Sequence, residues 1–342
     1  MRPFKCHCGN PVYFENTACQ KCQRQLGFDP DTLQLLALDL STDGRLTTPE
    51  GSVYRRCSNF HRYYNCNWLL HADDPQDLCF SCRLNDVIPA LDRPDNLKLW
   101  TRMEEAKRRL LYSLLLFRLP LSGNHEPHFK FLEDSRRNPD VYETFVTTGR
   151  WNNTITINIA EADDAARHAA REEMHELYRT VLGHLRHEIG HFYFNLLTSR
   201  FEDLEECRRL FGDERTDYQA ALQKYYDQGP PADWHQNHIS AYAAAHPAED
   251  FAETFAHYLH ITDALESARA GGLSVREFDQ TDTGWIDEWI KLVITLNEIT
   301  RSLGVDDAYP FLLSENVKTK LALVHRLVGA QSESHAVDSH QA

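Results

Sequence analysis

The chain has 342 residues, enough for two domains of ordinary size. Hydrophobic residues make up 42% and charged residues 25%, proportions that exclude a disordered, fibrous or repeat-built chain. Acidic side chains outnumber basic ones by 51 to 36, a formal charge of −15. That argues against nucleic acid as a partner, because duplex binders carry a basic footprint.

The N-terminal residues Met1 to Cys8 lack the apolar stretch of a signal peptide. The most apolar segment, Leu110 to Leu119, is too short to span a bilayer and holds Arg118. The expected location is therefore the cytoplasm, without membrane attachment, where thiols stay reduced and clustered cysteines mean metal rather than disulfide. Of the 9 Cys, all but Cys207 precede residue 83. They fall into two sets of four. Cys6-x-Cys8 with Cys19-x2-Cys22 has the spacing of a zinc ribbon, and Gly9 suits its tight knuckle. Cys57, Cys66, Cys79 and Cys82 form a looser second set. His7 and His61 are the substitute ligands. Two closed four-thiolate sites are structural, folding short segments with little core of their own. Between Tyr54 and Trp68, three Arg alternate with aromatics. That pattern suits base stacking, but a packed module surface is favoured, because residues 1–92 hold 9 basic and 11 acidic side chains. A docking role for the ribbons toward another protein is open.

From residue 93 the chain changes character. Apolar spacing predicts a helix from Asn96 to Leu119, ending before Pro120. Phe129 to Leu132 reads as a short strand. Val141 to Thr148 and Thr154 to Ile159 read as two strands joined by a loop at Gly149 to Asn153. A long helix then opens in the acidic turn of Glu161, Asp163 and Asp164 and runs to about Leu197. Further helices are expected over about 202–211, 214–227, 247–268, 284–303 and 310–328. The expected organisation is a cysteine-rich zinc-ribbon region at 1–92, a second domain at 93–330 and a flexible tail at 331–342. The fold class is α+β, with a mostly helical second domain and a small sheet.

Near the end of the long helix stands His187-Glu188-Ile189-Gly190-His191. Residues four apart share a helix face, so two imidazoles can converge on one zinc ion while Glu188 reaches a water beside it. Such a site needs a third protein ligand. The helix opened by Pro247 offers Glu249 and Glu253, one turn apart on one face, among apolar neighbours that imply burial. Buried carboxylates need a cation or a ligated His as partner. His184, at i relative to His187 and His191 at i+3 and i+7, is the rival third ligand. His235 and His238 either line a cleft or stand on an exposed loop. His257 and His260 read as packing or surface groups, and Cys207 as a buried thiol.

His187 to His191, taken with Tyr242, Glu249 and Glu253, resembles the gluzincin metallopeptidases, especially the lethal-factor type. The resemblance implies His187, His191 and Glu249 as zinc ligands and Glu188 as general base. It also implies Tyr242 as donor to the oxyanion and Glu253 as the group that orients a ligand His from behind. Over nearly the whole chain the order of parts is similar to bacterial zinc-binding metallopeptidases with an N-terminal zinc ribbon. The matching stretches are Cys79 to Asn85, Ile157 to Asp164, His187 to His191 and His246 to Glu253. What this implies is a zincin-like endopeptidase with one catalytic and two structural zinc ions. Its partner is a peptide or protein substrate, bound as an added strand on the free edge of Thr154 to Ile159. The alternatives are a ribbon-bearing binding or regulatory protein whose peptidase-like domain turns nothing over, and a zinc hydrolase of non-peptide amides.

Overall fold

The structure, a computed structural model, describes residues 1–42, 44–141, 149–167, 180–273 and 283–338. By internal contacts the chain divides into two compact units, Met1–Leu116 with Pro120–Ala166, and Phe117–Leu119 with Arg167–Ala342. Cysteine-rich β modules followed by a mostly helical region make the fold class α+β.

The first unit opens with the hairpin of β1 (Phe4–Lys5) and β2 (Pro11–Val12). A five-stranded antiparallel sheet follows in sequential order, a feature the sequence reading did not anticipate. Its strands are β3 (Gln25–Asp29), β4 (Gln34–Leu40), β5 (Leu46–Thr47), β6 (Val53–Arg56) and β7 (Leu69–His71). A bridge from Phe28 to Trp68 and the bond from Phe28 N–H to the Asn67 carbonyl tie β3 back to the entry of β7. Leu38, Leu46, Tyr54 and Leu69 fill one core of this sheet. Phe4, Phe14, Phe28 and Trp68 make a second, against Tyr112. Two short helices, α1 (Ser58–Tyr63) and α2 (Phe80–Arg83), carry the segments around the second cysteine set.

The 21-residue α3 (Asn96–Leu116) matches the predicted helix but stops three residues short of Leu119. Beside it lies a four-stranded sheet in the order β10-β11-β9-β8, with β8 (Asn85–Val87), β9 (His128–Leu132), β10 (Gly149–Trp151) and β11 (Thr154–Asn158). Here the expectations need two corrections. Gly149 to Trp151, read as loop, is a strand, because the turn is made by Asn152 at φ 51° and the hairpin is shorter than expected. Thr154–Asn158 also has no free edge over most of its length. It pairs parallel with β9 along its whole length and antiparallel with β10 over Thr154–Thr156, so over those three residues both rows of backbone groups are taken and no peptide strand can be added. Residues 142–148, where a strand was expected, lie outside the described residues.

The second unit is helical. Its helices are α4 (Val181–Leu197), α5 (Phe201–Phe211), α6 (Tyr218–Gln228), α7 (Trp234–Asn237), α8 (Pro247–Ala270), α9 (Gly284–Ser302) and α10 (Glu315–Asp338). The helix expected to run from Glu161 to Leu197 is not continuous. Thr180 is extended and caps α4, its Oγ1 accepting from the Gly183 N–H at 2.9 Å. Residues 168–179 lie outside the described residues. The final helix starts at Glu315 rather than near 310, and runs to Asp338, into the stretch read as a tail. Among the described residues no helix is long and apolar enough to cross a membrane.

The pair that matters most is α4 with α8. Gly190 faces the backbone of α8. A Cβ there would lie 2.9 Å from Ala252 Cα and 3.0 Å from its carbonyl oxygen. The missing side chain thus sets how closely the two helices approach. Gly190→Ala gains about 1 kcal/mol of helix propensity, but the overlap is with backbone and no rotamer change relieves it. A net loss of about 1–2 kcal/mol is expected, seen as a melting temperature several degrees lower; an unchanged melt would show that the helices can part freely.

Candidate metal centre

Two sulfur clusters form in the first unit. The sulfurs of Cys6, Cys8, Cys19 and Cys22 lie within 4.8 Å of one another, as do those of Cys57, Cys66, Cys79 and Cys82. Within them, Cys6 and Cys22 are 3.5 Å apart, Cys8 and Cys19 3.7 Å, Cys66 and Cys79 3.5 Å, and Cys66 and Cys82 3.7 Å. A disulfide needs about 2.05 Å. Four sulfurs each about 2.3 Å from one tetrahedral zinc sit about 3.8 Å apart. The spacing fits the ion and excludes the bond. Gly9, at φ 80°, makes the knuckle after Cys8 by donating to the Cys6 carbonyl at 2.8 Å. His7 and His61 are exposed and belong to neither cluster.

Four thiolates around a divalent ion leave a net negative charge, and two buried guanidiniums meet it at the second cluster. Burial lowers the Arg108 pKa, but the thiolates of Cys66, Cys79 and Cys82 with Glu104 raise it above its ordinary value. Arg56 is brought down to about 10 by burial, partly offset by Cys66. It also donates to the Leu26 carbonyl and stacks on Phe60. Of the alternating Arg and aromatics between Tyr54 and Trp68, Tyr54, Arg56 and Trp68 are buried, while Arg62 and Tyr64 are exposed.

A third cluster lies in the second unit and contains no sulfur. His187 and His191 come from one face of α4, Glu249 from the first turn of α8. The Nε2 atoms of the two His are 3.1 Å apart. Glu249 Oε2 is 3.0 Å from His187 Nε2, and its Oε1 is 3.3 Å from His191 Nε2. Three ligand atoms at about 2.0–2.1 Å from one tetrahedral ion would be about 3.3 Å apart. Proton counting points the same way. His187 Nδ1 is 2.7 Å from Glu253 Oε1, and a carboxylate only accepts, so Nδ1 carries the hydrogen. Neutral His187 then turns a lone pair toward His191 and toward Glu249 Oε2, which is buried without a hydrogen-bond donor. A proton or a metal ion must sit between these facing lone pairs. The His187 pKa says as much: burial lowers it, yet Glu249 and Glu253 push it well above its ordinary value. The donor set, two imidazoles and a carboxylate, suits zinc.

The surroundings hold these ligands in place. His246 caps α8, its Nδ1 accepting from the Ala248 N–H at 3.0 Å while its Nε2 donates to the Thr216 carbonyl at 3.0 Å. With Pro247 in the first turn, this fixes where Glu249 emerges. Its neighbour Asp250, fully buried, binds His238 at 2.9 Å and Lys320 of α10. Toward the N-terminal end of α4, Arg186 bonds Asp263 and, at 2.7 Å, His260 of α8. Glu253 accepts from His187 and, at 2.6 Å, from the Ser240 hydroxyl. Burial raises its carboxyl, but His187 outweighs that and holds it at about 2.

Glu188, nearly buried, lies 3.5 Å from His184 Nε2. Burial raises its pKa, but His184 and the other imidazoles bring it below the usual range, so it is ionised at neutral pH. His184 therefore faces Glu188 and is not among the clustered ligand atoms. Tyr242 lies with its ring 6.0 Å from that of His187. Its phenol is kept protonated by burial and by Glu249. His235 is exposed. His257 is buried against the Tyr309 hydroxyl at 2.7 Å, and burial drives it down to about 4. Cys207 is a buried thiol pushed up to about 12.

Two groups at the site were not singled out from the sequence. Tyr218 of α6 places its hydroxyl 2.8 Å from Glu249 Oε1, and Ser240 holds Glu253. Neither has a spacing signal, because they precede their partners by 31 and 13 residues and lie on separate elements.

Comparison with known proteins adds three findings. Residues 96–327 match the family described as "Putative zinc-binding metallo-peptidase", and residues 3–93 match a zinc-ribbon domain. Proteins titled uncharacterized from Mycobacterium bovis and from two strains of Mycobacterium tuberculosis are 40% identical over 96% of this chain and 95% of their own length. No solved structure matches the chain.

Proposed function

Since the chain belongs to that family of zinc-binding metallopeptidases and carries its N-terminal zinc ribbon, we propose that it is a zinc-dependent endopeptidase of gluzincin type with a lethal-factor-like centre. The observation that carries this reading is the meeting of His187, His191 and Glu249 within 4.8 Å, with ionised Glu188 on the same helix face. These three residues would hold the catalytic zinc. When bound, the ion supplies Lewis acidity toward a peptide carbonyl and toward water. Glu188 takes the proton from the attacking water and returns it to the departing amine. The Tyr242 hydroxyl donates to the oxygen that gains charge. Glu253 keeps His187 in the tautomer that offers Nε2 outward. Residues 1–92 form the ribbon region with two structural zinc ions, and 93–330 the catalytic domain, acting in the cytoplasm on a peptide or protein.

The test is a broad peptide library at neutral pH. Zinc-loaded protein should cleave a subset of peptides, lose the activity when the third zinc is chelated and regain it on zinc addition. Protein that carries the third zinc yet cleaves nothing would leave a binding or regulatory role in its place.

A further inference from the structure

Helix α6 has no buried residue, so core packing does not explain why its first residue reaches the metal centre. Tyr218 stacks edge-on against His246, ring centroids 5.1 Å apart, and directs its hydroxyl to Glu249 Oε1 at 2.8 Å. A carboxylate only accepts, so the phenol donates. The phenol thus touches the carboxylate ligand itself.

We propose that Tyr218 is the positioning residue of this centre, restricting Glu249 to ligation through Oε2. The inference rests on the metal-centre reading and extends it. A carboxylate with both oxygens free can bind an ion through one or both of them. A donated hydrogen bond on Oε1 lowers that oxygen's electron density and occupies one of its lone pairs. Oε2 then remains the ligand, and a coordination position stays available for substrate and water. The same bond keeps Glu249 from rotating, which lowers the ordering cost of binding the metal.

The experiment uses the full chain with cobalt(II) in place of zinc at the third site, comparing wild type, Tyr218→Phe and Tyr226→Phe. Tyr226 lies on the same helix and is 60% exposed, so it serves as control. In Tyr218→Phe, cobalt's visible absorption should fall severalfold as Glu249 binds through both oxygens and the coordination number rises. Zinc affinity measured against a competing chelator should weaken by about 10–100-fold, with Tyr226→Phe like wild type. In a Glu249→Asp background, whose carboxylate the phenol cannot reach, Tyr218→Phe should cost less than about twofold more. An equal loss in both backgrounds would assign Tyr218 to folding and overturn the proposal, as would an unchanged cobalt spectrum and affinity. Wild type that binds no metal beyond the two cysteine sets would remove the metal-centre reading as well. A loaded wild type matched by Tyr218→Phe removes the positioning role alone.

Discussion

Glu188→Gln should reduce peptide cleavage by a factor of about 10²–10⁴, the range for loss of a general base, while zinc content stays that of wild type. The substitution keeps the size of the side chain and leaves His187, His191 and Glu249 untouched, so the metal remains. What goes is the proton acceptor. In the native chain the imidazoles around Glu188 outweigh its burial and keep it ionised, and the neutral amide has no basicity to replace that. The contact 3.5 Å from His184 Nε2 survives as a weaker one. The measurement is kcat on a cleaved library peptide beside zinc per chain. Equal activity in variant and wild type would place the base elsewhere.

Cys66→Ala should have the larger effect on the fold. Its sulfur lies 3.5 Å from Cys79 and 3.7 Å from Cys82, and the residue is buried. Losing one thiolate takes a closed site below four ligands and leaves Arg56 and Arg108 buried without the charge they face. Apparent zinc binding energies of about 10–16 kcal/mol equal or exceed the whole stability of a typical domain, about 5–15 kcal/mol. The expected outcome is one zinc fewer per chain, with rapid proteolysis between residues 54 and 90. Retention of wild-type zinc content would show that the sulfurs do not share an ion.

What the sequence disclosed and what it hid follow from how locally each feature is encoded. His187 and His191 were legible because a helix turns spacing into geometry, and Glu249 because Pro247 marks where α8 begins. The cysteine sets were legible because their short spacings have few other uses. The five-stranded sheet was not, since β5 has only two residues and its pairing depends on long-range partners such as Phe28 and Trp68. The capping Thr180 was lost inside a pattern that continued to look helical across it. Thr154–Asn158 was read correctly as a strand, but its parallel pairing with His128–Leu132, which removes the free edge, is a tertiary fact. Tyr218 reaches Glu249 only through the path of the chain.

The division of donor atoms between the two units has a chemical consequence. Every clustered thiolate lies in the first unit, while the centre on α4 and α8 is built of nitrogen and oxygen, and the one cysteine of the second unit, Cys207, is buried and held protonated. Hydrogen peroxide oxidises thiolates and leaves imidazole and carboxylate ligands alone. Oxidative stress would therefore dismantle the ribbon region by ejecting its zinc while sparing the third site, so that the chain meets oxidants and chelators as two separate liabilities rather than one.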